Sequence, residues 1–163
     1  MKRVLFLVLM AMGLAGCGKP QVTPLQRKQA ANLVSEAHFA TNMREWARAE
    51  KLYAEAVKLT PDDGDVWLQL GATRRRQSDT SGAKKAYAEA ADAYAAAYKD
   101  NPRDPELLMQ QATALGLLGR MDEAKRILAK VRNDHPNSPE VRSLTDEAFE
   151  QMMKSPQMQA LAL

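Results

Sequence analysis

The side chains that most often carry nucleophilic or metal chemistry are scarce in this sequence. It has a single cysteine, Cys17, and two histidines, His38 and His135, which lie almost a hundred positions apart. A structural zinc site needs four closely spaced Cys or His ligands, and a catalytic nucleophile needs a neighbouring base. The sequence has neither pattern, and it has no Gly-rich phosphate loop and no Gly-x-Ser-x-Gly segment. We therefore expect no catalytic residue, no metal ion and no cofactor, and ordinary structural or surface roles for both histidines.

The N-terminal residues have the pattern of an export signal. Lys2 and Arg3 precede an uncharged apolar run from Val4 to Ala15, which is the order of regions in a signal peptide. A transmembrane helix needs about 20 apolar residues to cross the hydrocarbon core, so this run is too short for a permanent span. We expect residues 1–16 to be a signal peptide that is removed during export.

The end of this segment resembles the lipobox of bacterial lipoproteins. Leu14, Ala15 and Gly16 directly precede Cys17. The resemblance implies that the Cys17 thiol forms a thioether with a diacylglycerol and that cleavage leaves Cys17 as the first residue, carrying palmitate-type acyl chains. Two or more acyl chains make a stable anchor. The alternative is an ordinary signal peptide with a chance cysteine, which would leave a soluble periplasmic binding protein.

The residues after the lipidated cysteine predict a tether and a destination. Residues 17–24 contain two prolines and a glycine and no apolar cluster, which favours an extended spacer. The resemblance to lipoproteins implies retention at the inner membrane when aspartate follows the cysteine, and here Gly18 does. We therefore expect attachment to the outer membrane, on its periplasmic face.

The charge of the mature chain argues against nucleic-acid binding. The whole sequence has 23 Lys and Arg against 20 Asp and Glu. Removing residues 1–16 takes away Lys2 and Arg3, which leaves 21 basic and 20 acidic side chains among 147 residues. A net charge of about +1 gives no electrostatic basis for binding nucleic acid. We expect no nucleic-acid partner and no small-molecule substrate.

A repeated pattern precedes each of three prolines, Pro61, Pro102 and Pro136. Small and bulky residues alternate at spacings of four and three: Ala49, Tyr53 and Ala56, then Ala83, Tyr87 and Ala90, then Ala124, Leu128 and Val131. The segment from Trp67 to Gly71 reads Trp-Leu-Gln-Leu-Gly. These features resemble the tetratricopeptide repeat, a helix-turn-helix unit of about 34 residues. The resemblance implies an all-α fold, a short α-solenoid of about three such units with a C-terminal capping helix.

The repeat pattern, together with helix-capping residues, also predicts the boundaries. We expect a repeat domain over residues 25–154, with repeats at about 30–63, 64–104 and 105–138, a capping helix at 139–153 and a flexible or loosely docked tail at 155–163. The predicted helices cover residues 25–42, 44–59, 64–77, 80–99, 105–118, 121–134 and 139–153. Gly119 marks the turn within the third repeat.

The second repeat is seven residues longer than the others. Seven residues are about two helical turns and return to within ~20° of the starting direction, so the lengthened helix should keep its buried stripe. Tyr94 and Tyr98 lie in the added part. We expect an overhanging helix that is either a length variation tolerated by solvent or, if both tyrosines are exposed, part of a partner surface.

The resemblance further implies a concave groove, lined by the first helices of the repeats, that holds a segment of another protein. The candidate groove residues are Val34, Ser35, His38, Leu68, Gln69, Ala72, Arg75, Arg76, Met109, Gln110 and Thr113. The run Arg74–Arg76 would complement the negative end of a helix dipole, or Arg75 and Arg76 would pair with a carboxylate of a partner. One family subtype clamps chaperone tails with lysine and asparagine, and Val34 and His38 replace these residues here.

The expected function is that of a membrane-anchored adaptor or scaffold for other envelope proteins. Lipoproteins with these repeats serve pilus or secretion assembly, outer-membrane biogenesis, or the docking of cell-wall hydrolases, and the resemblance does not choose among them. A soluble periplasmic binding protein remains an alternative. An enzyme with chemistry hidden in this scaffold is a further alternative, which the lack of a reactive constellation disfavours.

Overall fold

The computed structural model describes residues 21–163, which form nine helices joined by short turns and loops. Their bounds are α1 (Pro24–Asn42), α2 (Trp46–Leu59), α3 (Gly64–Arg76), α4 (Thr80–Asp100), α5 (Pro105–Leu117), α6 (Met121–Asp134), α7 (Pro139–Arg142), α8 (Asp146–Met153) and α9 (Pro156–Gln159). The predictions for the signal peptide, for Leu14 to Cys17 and for most of the tether concern residues outside this range. Among residues 21–163, no helix has both the length and the apolar character that a membrane span requires.

The six long helices confirm the predicted all-α solenoid. Each of α1 to α6 packs against its neighbours in sequence, so that α1 with α2, α3 with α4 and α5 with α6 form three stacked pairs. Their observed ends differ from the predicted ones by at most two residues. Side chains cap four of these helices at their starts. Thr23 and Gln26 form a capping box at α1, and carboxylates accept backbone N–H groups at α3, α4 and α5, from Asp63, Asp79 and Asp104.

Small residues stand where paired helices cross. Ala37 and Ala112 are fully buried, and so is Tyr87. The ring of Tyr87 lies so close to Gly71 that a Cβ atom added there would be 2.4 Å from its Cε1 atom. The aromatic ring therefore occupies the space that the glycine leaves, which is the mechanical reason for the small-aromatic-small spacing.

The turn inside each pair has the same backbone conformation. Arg44, Ser78 and Gly119 have positive φ angles of 59°, 64° and 74°. In the second pair the Asp79 N–H donates to the Arg74 carbonyl at 2.9 Å, and the equivalent bond occurs in the other two pairs. This is the Schellman ending, in which one left-handed residue closes a helix. Only the third pair uses glycine, so the sequence predicts one of these three turns by residue type.

The two extra turns of α4 are buried, and the hypothesis that Tyr94 and Tyr98 are exposed partner contacts is wrong. Their side chains are only 4% and 8% exposed. The Tyr94 ring packs on Gly64, at the start of α3. Tyr98 joins a cluster with Leu108, Val131 and Val141. The seven-residue addition keeps the buried stripe in register, as expected, but α3, α5 and α6 cover the added length and no overhang forms.

The C-terminal region also differs from its prediction. The expected single helix over 139–153 is interrupted after Arg142, because the Thr145 side chain accepts the Ala148 N–H and starts a new helix. The C-terminal tail, residues 155–163, was expected to be flexible or loosely docked. It contains α9, and the Leu163 N–H donates to the Leu117 carbonyl at 2.9 Å. The chain thus folds back over the end of its own solenoid.

Candidate partner-binding groove

Predicted groove residues from two repeats line one open cavity between α1 and α3. This α1–α3 cavity has a volume of about 530 Å³, and Val34, His38 and Gln69 all line it. Val34 is half-buried, whereas His38 and Gln69 are exposed. Ala30 and Val66 contribute further apolar surface. The cavity is large enough to receive side chains of an extended segment, since small-molecule sites start at about 300 Å³.

The rim of the α1–α3 cavity carries opposite charges that the sequence reasoning missed. Asp63, Asp65 and Arg27 line it. The Asp63 carboxylate accepts the backbone N–H groups of Asp65 and Val66 at the N-terminus of α3, and burial raises the pKa of Asp63 above its usual range. The signal was present in the sequence, because an aspartate two residues after Pro61 is a typical N-cap.

Buried tyrosine hydroxyls hold the side chains of this cavity in place. The Tyr53 hydroxyl lies 3.1 Å from Nδ1 of His38, and the two rings meet edge to face. The Tyr94 hydroxyl donates to the Asp65 carboxylate at 2.6 Å. Burial raises the pKa of Tyr94 far above its ordinary value, and the Asp65 hydrogen bond raises it further. Tyr94 is therefore a support of the cavity wall and not a contact residue.

The predicted groove residues of the third repeat line a second cavity, beside α8. Met109, Gln110 and Thr113 line this cavity, of about 370 Å³, together with Phe149 and Met152 from α8. Residues of α5 and α8 thus face each other across this α5–α8 cavity. Leu68 packs against the central core cluster, and Ala72 is half-buried beside it. The candidate residues are therefore divided between the α1–α3 cavity, the α5–α8 cavity and positions that line neither.

Arg75 and Arg76, the predicted basic edge of the groove, both have contacts within the chain, and Arg76 remains exposed. The Arg75 Nε donates to the Ala162 carbonyl at 2.8 Å. The Arg76 guanidinium lies over the ring of Trp46, 5.1 Å from its centroid. The third member of the run, Arg74, donates to the Glu50 carboxylate at 2.9 Å. These contacts could not be foreseen from the sequence, because they depend on α2 and on the folded-back tail.

The arrangement offers binding surface and no reactive group that we can identify. Within residues 21–163, no three His, Cys, Asp or Glu side chains are grouped closely enough to hold a metal ion. His135 has a structural contact, with its Nε2 atom 3.1 Å from the Tyr98 hydroxyl. Tyr98 also donates to the Asp134 carboxylate at 2.8 Å. Both histidines thus contact a tyrosine hydroxyl.

Comparison with known proteins supports the repeat assignment for part of the chain. Residues 83–148 match the family described as tetratricopeptide repeat. This segment runs from the start of the Ala83-Tyr87-Ala90 pattern into α8. A comparison with curated proteins gives no match.

Solved structures with similar helix arrangements include three described domains. The first repeat domain of Spaghetti (RPAP3) bound to an HSP90 peptide is 17% identical, with 79% of this chain and 96% of that chain covered and a TM-score of 0.48. The Arabidopsis OM64 repeat domain is 15% identical, with 78% of this chain and 98% of that chain covered and a TM-score of 0.47. The Yersinia enterocolitica type III secretion translocator chaperone SycD is 21% identical, with 84% of this chain and 98% of that chain covered and a TM-score of 0.48.

Similarities of this size transfer neither partner nor function. TM-scores below 0.5 leave the assignment to the helix packing of this chain and to the family match. The packing gives three helix pairs with the same internal turn and neighbour-to-neighbour contacts, and the family match covers the second half of that array. The described residues therefore form an α-solenoid, of which residues 83–148 match the tetratricopeptide repeat family.

Proposed function

We propose that this protein is a membrane-anchored adaptor that binds a segment of another envelope protein in the α1–α3 cavity. The observation that carries the proposal is the convergence of Val34, His38 and Gln69, from two successive repeats, on one open cavity of about 530 Å³. A solenoid that presents an open surface between its first helices is suited to holding a polypeptide. A protein-binding role for the repeat domain, without the membrane anchor, is supported by the fold and the family match.

The chemistry of the cavity indicates what the bound segment should look like. Ala30, Val34 and Val66 provide apolar surface, and Asp63 with Asp65 provides negative charge at one side. An apolar side chain would enter between α1 and α3, and a basic side chain next to it would face the two carboxylates. Apolar anchors supply most of the affinity in such contacts, while rim charges set specificity and association rate.

The anchoring half of the proposal comes from the N-terminal sequence. A lipid on Cys17, followed by the short segment 18–24, would hold the solenoid at the periplasmic face of the outer membrane. Pilus or secretion assembly and outer-membrane biogenesis both need such held adaptors. Metabolic labelling with palmitate tests the anchor: the wild-type protein should be labelled and membrane-bound, and Cys17→Ser should be unlabelled. Membrane attachment of Cys17→Ser after signal cleavage would contradict the lipid anchor.

Photocrosslinking in intact cells tests the cavity. A photoreactive amino acid placed at Val34 or at Gln69 should give discrete crosslinked products. The matched control is Lys51, which is exposed on α2 and does not line the cavity. Crosslinks from Lys51 alone, or equally from all three positions, would reject the α1–α3 cavity as the binding surface.

A further inference from the structure

The C-terminal tail is bound by the solenoid through its backbone. The Arg75 Nε donates to the Ala162 carbonyl at 2.8 Å, and the Tyr87 hydroxyl donates to the Leu161 carbonyl at 3.0 Å. The Leu163 N–H donates to the Leu117 carbonyl at 2.9 Å. Three consecutive residues of the tail therefore form backbone hydrogen bonds with α3, α4 and α5, in the way that a groove binds a peptide. We name the surface formed by Arg75, Tyr87 and Leu117 the tail site.

The side chains that enter the tail site are uncharged and aliphatic. Met158, Leu161 and Ala162 pack against the core cluster that contains Tyr87 and Leu117. The whole stretch from Pro156 to Leu163 has no charged side chain. Because the three contacts involve backbone groups of the tail, two carbonyls and one N–H, the site demands an extended or turned segment with aliphatic side chains and not one particular residue.

The tail is held less firmly than the helices around it. Met158, Leu161 and Ala162 are only half-buried, and 37% of Leu163 is exposed. Fixing the backbone of several residues opposes docking, because each ordered residue loses conformational entropy. Half-buried contacts of this kind belong to the part of a fold that opens first. Docking is therefore an equilibrium that a competing segment can shift.

The Tyr87 hydroxyl is a donor whose position is fixed. Burial raises the pKa of Tyr87 to about 12, against the lowering effect of Arg75 and Arg76. The hydroxyl stays protonated at physiological pH and donates to the carbonyl above it. The Tyr87 ring is fixed by its contact with Gly71, so the position of the donor does not depend on the tail.

We propose that the tail site is a second binding surface, and that its ligand in trans is an uncharged aliphatic segment of a partner protein, which replaces the chain's own residues 156–163. The proposal rests on the adaptor function and specifies one class of partner segment for it. The tail itself is the observation that fixes the chemistry of that class, because it is the segment that occupies the site. Free chains would then present a covered site, and a partner would have to displace the tail.

A labelled peptide provides the test. The probe is a fluorescein-labelled peptide with the sequence of residues 155–163, Ser-Pro-Gln-Met-Gln-Ala-Leu-Ala-Leu. In the full chain, Met158→Asp with Leu161→Asp should undock the tail, because two carboxylates would have to be buried against the core. Fluorescence anisotropy should show at least tenfold tighter binding of the probe to this variant than to the wild-type chain. Equal binding to both chains, or no binding to a variant with unchanged helicity, overturns the proposal.

Tyr87→Phe is the matched variant for the site itself. It keeps the ring against Gly71 and removes only the donor to the Leu161 carbonyl. Added to the undocked variant, it should weaken probe binding by roughly two- to tenfold, the range of a single hydrogen bond. A probe with aspartate at the Met158 and Leu161 positions should not bind. Unchanged affinity after Tyr87→Phe, or binding of the aspartate probe, places the peptide elsewhere.

Hydrogen exchange on the wild-type chain keeps the proposal testable if the double variant does not fold. A competitor peptide with norleucine in place of methionine differs in mass from the chain's own tail. In excess it should speed the exchange of the Leu163 amide, which loses its Leu117 acceptor. Unaltered exchange at saturating competitor overturns tail displacement. The Val34 and Gln69 crosslinks are independent of this result, so the adaptor function and the tail site fail separately.

Discussion

Replacing Gly71 with alanine should destabilise the solenoid, although alanine is the better helix former. Alanine in place of glycine favours a helix by about 1 kcal/mol. The added Cβ, however, would lie 2.4 Å from Cε1 and 2.5 Å from Cδ1 of Tyr87. Tyr87 is fully buried, so its ring has no free space to move into. Overpacking of this kind costs about 1–3 kcal/mol, and the severity of the overlap points to the upper end of that range.

The net effect should be a loss of about 2 kcal/mol in the free energy of unfolding, from ~3 kcal/mol of overpacking less ~1 kcal/mol of helix propensity. Gly116→Ala is the matched control. A Cβ at Gly116 would meet the flexible end of Met153, with its Cε and Sδ atoms both at 3.0 Å, and would lie farther from the Phe149 ring, 3.3 Å from its Cζ atom. Methionine has several rotatable bonds and adapts its shape easily. We therefore expect Gly116→Ala to change the stability by less than about 1 kcal/mol.

Urea unfolding followed by circular dichroism at 222 nm measures both effects. A loss of about 2 kcal/mol should move the midpoint of Gly71→Ala down by roughly 1 M, since small proteins have slopes of about 1–3 kcal/mol per molar urea. Wild-type stability in Gly71→Ala would refute the close contact between α3 and α4. Equal losses in the two variants would refute the distinction between a fixed ring and a flexible thioether.

Three further predictions concern the tyrosines and a helix cap. Burial raises the pKa of Tyr87 to about 12, so the stability due to its protonated hydroxyl is complete below pH 10 and is lost as the pH rises from 10 towards 12. Absorbance at 295 nm should show that this hydroxyl ionises above pH 10, and ionisation at pH 10 would contradict its burial. Asp63→Ala removes the acceptor of two N–H groups at α3 and should cost about 1 kcal/mol, whereas Asp63→Asn keeps most of the cap; equal thermal melts of these two variants would speak against it. Tyr98→Phe removes the hydrogen bond to Asp134 and should lower the free energy of unfolding by about 1 kcal/mol or less, while Tyr98→Ala should lower it by about 3–5 kcal/mol. Unchanged stability of Tyr98→Ala would contradict the burial of Tyr98.

Local patterns in the sequence predict the helices and the pairing of α1 to α6, because spacings of three and four and the proline stops act within one element. The burial of Tyr94 and Tyr98 is not predictable in this way. A stripe on α4 shows that one side is apolar, but it does not say how far α3, α5 and α6 extend along it. The break after Arg142 was missed because Thr145 reads equally well as a helix residue and as an N-cap.

The candidate site was half predictable for a related reason. Position in the repeat brings Val34, His38 and Gln69 to the α1–α3 cavity, because successive units stack with the same geometry. Position in the repeat says nothing of the segments that follow the last unit. The contact of Arg75 with Ala162 joins parts of the chain that no periodic pattern relates, and so the repeat pattern could not predict it.

The separation of Arg75 and Ala162 along the chain has a consequence for the order of folding. The helix pairs are built from neighbours along the chain, and domains rich in such local contacts fold in microseconds to milliseconds. The hydrogen bond from Arg75 to Ala162 instead spans 87 positions, and the loop it closes must wait until the ends of α3, α4 and α5 exist. The helix pairs should therefore form first with the tail site vacant, and residues 161–163 should dock on it in a later and slower phase of folding.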